Sequence, residues 1–289
     1  MVQTKPQGSS TEDGSVTGLP PARPVTPLGI VVQQLGEAIA LAEQTEASAP
    51  LRHALNQVYA LASGLDPYLE RCATPESAAL ANLARRTAAE DWSQRFSDQE
   101  TVRHLEQEML SGHIEGQTLK LLVHMTQAAR VLEVGMFTGY SALAMAEALP
   151  EGGCVVACEV DAYVASFARS CFAASPHGHK IQVKVAPALQ TLGQLAATQQ
   201  PFDLAFIDAD KQEYGAYFSV LMDGGLIAPG GIIAVDNTLL QGQPYRPAAQ
   251  QTANGAAVAE FNRMVAADSR VEQVLLPLRD GLTLIRRKS

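Results

Sequence analysis

Two short runs place hard oxygen donors at the ends of apolar strands. Leu204 to Ile207 leads into Asp208, Ala209, Asp210 and Lys211, and Ile232 to Val235 leads into Asp236 and Asn237. In an open parallel sheet the carboxyl ends of the strands share one edge, where ligands bind, so Asp208, Asp236 and Asn237 can converge above it. Two carboxylates and an amide, with no His or Cys among them, suit Mg2+ or a similar ion such as Mn2+ or Ca2+, which keeps its other positions for water and substrate oxygens. Asp208 and Asp236 could instead each act as the N-cap of a helix beyond its strand. Capping gives no role to the adjacent Asn237 or the nearby Lys211, whereas an ion site does.

A second constellation reads as a nucleotide cradle. VLEVGMFTGYS, from Val131 to Ser141, runs an apolar strand into a glycine turn and then a helix. Gly135 and Gly139 permit close backbone approach and unusual dihedrals, and the helix N-terminus supplies unpaired N–H groups. A dinucleotide fingerprint needs three closely spaced glycines, and here Met136 and Phe137 put bulk where a pyrophosphate would lie. S-adenosylmethionine, a nucleoside without phosphate, therefore fits better than NAD or FAD. An ordinary βα turn is the plain alternative. One strand–helix–strand interval on, CVVACEVD carries Glu159 where a ribose-binding acid belongs; the alternative is a solvated strand-end carboxylate.

The elements that must hold these residues follow from pattern. Strands are expected near 131–135, 154–159, 181–185, 203–208, 232–236, 271–276 and 281–286, and the last two form an antiparallel hairpin because Pro277 to Gly281 is too short for a helical crossover. The first 26 residues, rich in Ser, Thr, Gly and Pro, read as a flexible tail. From Leu28 to Ala62 apolar residues recur at helical spacing, broken at Ser48 to Pro50, which predicts an antiparallel helical pair, and Thr74-Pro75-Glu76 starts another helix. A helical extension over 27–100 could be substrate lid, dimer surface or core cover. The remaining segment, 101–289, carries the sheet.

Composition sets limits. A chain of 289 residues, 47% apolar, can bury a large core, and a formal charge of −9 with no basic cluster argues against nucleic acid. Cys72, Cys154, Cys158 and Cys171 show no metal or redox spacing, and Cys154 is expected to pack as a small apolar residue in a reducing compartment. No run reaches membrane-spanning length and the first residues lack a signal core, so the expectation is a cytoplasmic protein without membrane partners. His104, His113 and His124 have no ligand spacing, Trp92 is expected as a packing anchor, and Tyr245 and Arg246 could reach substrate or merely shape a Pro-flanked loop.

These motifs together resemble the cation-dependent class I O-methyltransferases of the caffeoyl-CoA and catechol type. VLEVGMFTGYS, the APAL segment from Ala186, FIDADKQEY from Phe206, VDNTLLQG from Val235 and the terminal LPLRDGLTLIRR occur in that family's order over roughly the last 190 residues. Further upstream, GLDPYLERCATPES and EDWSQRFSDQETV resemble the longer cyanobacterial members that make 4-deoxygadusol for mycosporine biosynthesis. The resemblance implies an α/β fold with a Rossmann-like seven-stranded sheet, an antiparallel C-terminal hairpin and an N-terminal helical extension. The expected assembly is a homodimer. By position it assigns Asp208, Asp236 and Asn237 to the ion, Lys211 to the general base, and Ser111, Gln117, Glu133, Gly135, Ser141, Glu159, Ala188 and Asp208 to the donor. Two positions depart from the pattern: Ala186 stands where many members have glycine, and Leu240 where plant enzymes often carry tryptophan.

The expected reaction is methyl transfer from S-adenosylmethionine to one hydroxyl of a vicinal enediol, with a simple catechol or caffeoyl-CoA as the alternative acceptor. Two adjacent substrate oxygens on the ion would lower a hydroxyl's pKa, and Lys211 could take the proton if the cation and partial burial depress its own. A non-catalytic adenosine-binding module needs no ion set, and an NAD oxidoreductase needs room for a pyrophosphate.

Overall fold

The computed structural model describes residues 23–288, so the expected tail at 1–26 lies almost wholly outside the described residues. Helices come first: α1 (Pro27–Gln44), α2 (Ala49–Ser63), α3 (Leu65–Cys72), α4 (Ala78–Ala89), α5 (Trp92–Ser97) and α6 (Gly112–Thr126). Strands and helices then alternate as β1 (Arg130–Val134), α7 (Tyr140–Ala148), β2 (Cys154–Glu159), α8 (Ala162–Phe172), β3 (Ile181–Val185), α9 (Ala188–Ala196), β4 (Phe202–Ile207), α10 (Tyr214–Asp223) and β5 (Ile227–Val235). The chain closes with α11 (Ala253–Ala267), β6 (Val271–Leu276) and β7 (Leu282–Arg287).

The seven strands form one sheet in the order β3-β2-β1-β4-β5-β7-β6. β1 to β5 are parallel, and β7 runs antiparallel to both β5 and β6, the hairpin that the short loop required. Strand order reverses between β1 and β4, so a crevice opens there at the carboxyl edge. Alternation sends Val131 to one face, among α4, α6 and α7, and Leu132 and Val134 to the other, among α9, α10 and α11. β5 begins five residues earlier than its apolar pattern suggests. Phe202 pairs with Ile227 but Leu204 pairs with Ile232, so Ala228 to Gly231 bulge out of the ladder, and their Pro-Gly-Gly run reads as a turn.

The helical extension divides in two. α1 and α2 pack on each other as the apolar spacing predicts, but α2 and α3 bury no residue and α1 buries only Ala42. α3 was not expected from the sequence, since Pro67 near its start reads as a breaker, although Pro is tolerated in a first turn. α4, by contrast, places Leu80 and Leu83 in the main core. It starts at Ala78, where Ser77 accepts from the Leu80 N–H at 3.1 Å, and not at Pro75.

Trp92 anchors the join between extension and sheet. Its ring centroid lies 5.2 Å from Phe137 and 5.7 Å from Phe167, and its Nε1 donates to the Thr87 carbonyl at 3.0 Å. Cys158 and Cys171 are buried, Cys154 is half-buried, Cys72 is exposed, and all four are free thiols. Among the described residues no helix is long and apolar enough to cross a membrane.

Gly135 ties the edge together. Its φ is +89°, and a Cβ there would stand 2.0 Å from the Asp208 carbonyl oxygen. Gly135→Ala is expected to destabilise the fold by on the order of 2–4 kcal/mol through left-handed strain plus the clash, with urea denaturation as the measurement. An unchanged midpoint would refute that account.

Candidate active site

The ladder continues one residue past each central strand. Asp208 N–H donates to the Val134 carbonyl and Asp236 N–H to that of Ile207, both at 2.9 Å, while Gly135 N–H donates to the Cys158 carbonyl at 3.1 Å. Gly135, Asp208 and Asp236 therefore stand side by side at the crevice. They line a cavity of about 310 Å3 together with Ser111, Phe137, Glu159, Lys211 and Asn237, among others.

At the cavity's β2 side, Glu159 is nearly fully buried and is fixed by two backbone donors, Phe137 N–H at 2.8 Å and Asp161 N–H at 2.9 Å. Burial raises its pKa, and those two bonds oppose the rise. The carboxylate is thus held rigidly with its remaining lone pairs available to a diol. Glu133 is buried beside Ser141, whose hydroxyl donates to it, and its Oε2 has no hydrogen-bond partner among the described residues. Burial pushes its acid up to about 8, with the Ser141 bond opposing and Asp208 and Glu159 adding to the shift.

Two details differ from the pattern-based expectation for this turn. Met136 is buried in the core, so only Phe137, at φ +49°, puts bulk into the cradle. Gly139, at φ +88°, owes its lack of a side chain to the Phe172 ring, 2.3 Å from where a Cβ would be, and not to a ligand. Of the residues expected at the donor, Gln117, Glu133, Ser141 and Ala188 do not line the cavity. The Gln117 amide donates to the Thr74 carbonyl at 2.7 Å, and Ala188 opens α9. Tyr245 and Arg246 also stand away from it, exposed on the loop after β5.

At the β4 and β5 side, Lys211 Nζ lies 2.8 Å from Asp208 Oδ1 and 5.1 Å from the Tyr214 ring centroid. Burial lowers its pKa, but the Asp208 carboxylate and Tyr214 outweigh burial and hold it above the usual lysine range. The depressed pKa expected for a general base is therefore not what this arrangement gives; Lys211 stands as a paired ammonium. Tyr214 donates to the Asp236 carbonyl at 3.0 Å, and Asn237 sits at φ +56°. Asp236 is buried and its acid is pushed up to about 7, by burial first and by Asp208 second.

Three residues of this site escaped sequence reasoning. Glu115 projects from the buried stripe of α6 that also holds Leu119 and Val123, and its Oε1 has no partner among the described residues. Burial, then Asp236, raises its pKa well above the carboxylate range. A charge on an apolar helix stripe was the available signal. Arg279 and Asp280 come from the β6–β7 turn, inside the LPLRDGLTLIRR motif, whose resemblance gave neither residue a role; Arg279 Nη1 is 3.4 Å from Glu115 Oε2, and Asp280 Oδ1 accepts from the Gln241 N–H at 2.6 Å.

The electrostatics fit a cation. Glu115, Asp208 and Asp236 are three acids facing Lys211 and Arg279, and a buried carboxylate pushed up to about 7 is one that a nearby positive charge would stabilise in its ionised form. Among the described residues no three His, Cys, Asp or Glu side chains gather as a ligand set; Asp208, Asp236 and Asn237 line the cavity together.

The O-methyltransferase family profile matches residues 76–288, beginning inside the helical segment that was assigned to the extension. The chain belongs to the O-methyltransferase family. It is 36% identical over 195 residues to the probable caffeoyl-CoA O-methyltransferase 2 of Dictyostelium discoideum, which spans 67% of this chain and 82% of that one. It is 38% identical over 197 residues to the caffeoyl-CoA O-methyltransferase of Mesembryanthemum crystallinum, 65% of this chain and 77% of that one. Among solved structures, the O-methyltransferase from Bacillus cereus in complex with SAH matches with a TM-score of 0.64 at 27% identity, covering 78% of this chain and 97% of that chain. As a family member the chain is an S-adenosylmethionine-dependent O-methyltransferase of the caffeoyl-CoA/catechol type. Family membership sets aside both the oxidoreductase and the non-catalytic binding module.

Asp236 and Glu133 bind protons more tightly in the fold than in the unfolded chain, so their contribution to stability falls as pH rises from the ordinary carboxylate range toward about 7 and about 8. In chelator, Asp236→Asn should therefore gain thermal stability relative to wild type as pH rises from about 5 to about 8. Melting temperatures across that range test it. A difference that does not change with pH would contradict the assigned burial of charge.

Proposed function

We propose that this O-methyltransferase moves the methyl group of S-adenosylmethionine to one hydroxyl of a small cyclic enediol, the demethyl precursor of 4-deoxygadusol, in mycosporine biosynthesis. The observation that carries the reading is that the rigid Glu159 carboxylate and the Asp208, Asp236 and Asn237 oxygens line one cavity. Glu159 accepts from the ribose hydroxyls of the donor. Gly135 and Ser111 lie along the same wall.

Asp208, Asp236 and Asn237 would hold a divalent ion, which when bound lowers the pKa of a coordinated hydroxyl and orients it. Lys211 is the proton acceptor in this reading, as the neutral amine that would form once Asp208 turned to the ion and the Lys211 ammonium released its proton to solvent. Holding the two reactants in attack geometry could supply on the order of 7–11 kcal/mol, more than any single hydrogen bond. Phe137 and Leu110 add apolar surface to the cavity wall.

The acceptor's size follows from the walls. Leu240 lines the cavity where an aromatic clamp would suit a thioester substrate, and the only cation between Thr238 and Asn254, Arg246, is exposed away from it. Phosphates of a coenzyme A ester would thus find little to pair with on that loop. The second reading, caffeoyl-CoA or a catechol, is favoured by the names of the curated relatives.

Side-by-side kinetics with Mg2+ decide between them. The demethyl cyclohexenone is expected to exceed caffeoyl-CoA in kcat/KM by about tenfold or more, a difference of about 1.4 kcal/mol in transition-state binding, and excess chelator should abolish turnover of both. Greater efficiency on caffeoyl-CoA would overturn the assignment. Lys211→Met should lower kcat by about 100-fold near neutral pH, with the deficit shrinking as pH rises and the hydroxyl ionises unaided. A deficit that stays constant across the pH profile would make Lys211 an electrostatic residue and not the base.

A further inference from the structure

Arg279 is built into the site at a cost. It occupies the β6–β7 turn with φ +49°, a left-handed conformation that a non-glycine residue adopts only under constraint. Its side chain nevertheless turns back into the cavity. Both Nη groups donate to the Leu110 carbonyl at 3.3 Å, and Nη1 stands 3.4 Å from Glu115 Oε2, too far for a hydrogen bond of normal length. Gly112, at φ +75°, leaves the space: a Cβ there would lie 3.0 Å from Nη1.

The turn that carries Arg279 is zipped to the segment just after Asn237. Thr238 N–H donates to the Gly281 carbonyl at 3.0 Å and Leu239 N–H to that of Asp280 at 2.9 Å. Arg279 and Asn237 are therefore held in one rigid unit, and both line the same cavity. A guanidinium has five N–H donors in a planar fork, and the Leu110 carbonyl is the one hydrogen-bond acceptor it meets among the described residues. Its side chain keeps 29% exposure while the Glu115 side chain behind it keeps 2%. Glu115 backs the charge from the protein side, and the cavity side is left for a ligand.

We propose that Arg279 is a specificity-determining residue whose guanidinium takes an anionic oxygen that the acceptor carries beside its two vicinal oxygens. The site then selects acceptors already charged at neutral pH. A ring in which a ketone is conjugated with an enediol is a vinylogous carboxylic acid: three contiguous oxygens, with the negative charge shared between the outer two. A plain catechol has only two and is neutral. Glu115 is the positioning residue, holding the fork flat against the Leu110 carbonyl. The natural acceptor rests on the cyclic enediol reading, but the test uses catechols alone, so the two fail separately.

The probes are 2,3-dihydroxybenzoate, whose carboxylate lies beside the vicinal hydroxyls, and catechol, which lacks it. Binding of each to the full chain, with S-adenosylhomocysteine and Mg2+ present, is measured by calorimetry, and the ratio of the two affinities is the readout. Wild type should favour the benzoate by about 10- to 100-fold, the worth of a charge-assisted bond. Arg279→Gly, which removes the backbone strain, and Arg279→Gln, which keeps donors against Leu110 and Glu115 without the charge, should both bring the ratio near one. Arg279→Lys should retain part of it. A wild-type protein that fails to bind the benzoate or shows no preference for it, or variants that keep the preference, would overturn the assignment.

Discussion

Everything at the site depends on how closely two backbones approach at the point where strand order reverses. β1 and β4 are hydrogen-bonded neighbours whose chains leave in opposite directions, and the residue just past β1 must pass beside the residue just past β4. With Gly135 in a left-handed conformation, its missing side chain lets the Asp208 carbonyl occupy that space. The turn after β1 and Asp208 are thus mutually positioned by this close approach, and Asp236 follows by one further ladder step. This unit is stiff. Ligands meet groups that do not have to reorganise, which is the condition for strong electrostatic effects in a dry cleft.

That stiffness holds charges that water would otherwise solvate. Glu115, Glu133, Glu159 and Asp236 are all buried with raised pKa values, and burial is the leading cause for each. A hydrophobic core does not tolerate such groups without return. Each has a local circumstance: Glu159 is fixed by backbone donors, Glu115 stands beside Arg279, and Asp236 lines the cavity. The lysine beside them shows the opposite balance, since its partner outweighs its burial.

The N-terminal helices serve different purposes along their length. α4 and α5 are part of the main structure, joined to the donor-side turn through Trp92, Phe137 and Phe167. α1 to α3 leave Leu41, Leu61 and Tyr68 exposed at 59%, 80% and 58%, far more than a helix covering a core would. One extension is therefore two layers, an inner one that stabilises the cradle and an outer one still presenting apolar surface.

The sequence by itself determined the alternation of strands and helices, the seven strand positions to within a few residues and the C-terminal hairpin, because apolar periodicity and loop length are local properties. It also marked Asp208, Asp236, Asn237 and Glu159, since each directly follows or ends an apolar strand. What it could not determine depended on partners distant along the chain. Met136 and Phe137 are adjacent and alike in bulk, yet one faces the core and the other the cavity because the turn's dihedrals separate them. Lys211 can act as a base only if a cation and burial depress its pKa, whereas the 2.8 Å pair with Asp208 raises it. Arg279 meets Leu110 across 169 residues of sequence, a contact created only when the last hairpin closes against the segment after β5. Side-chain direction, charge balance and the roles that depend on them are decided by tertiary packing, because burial and pairing are properties of the whole fold and not of a segment.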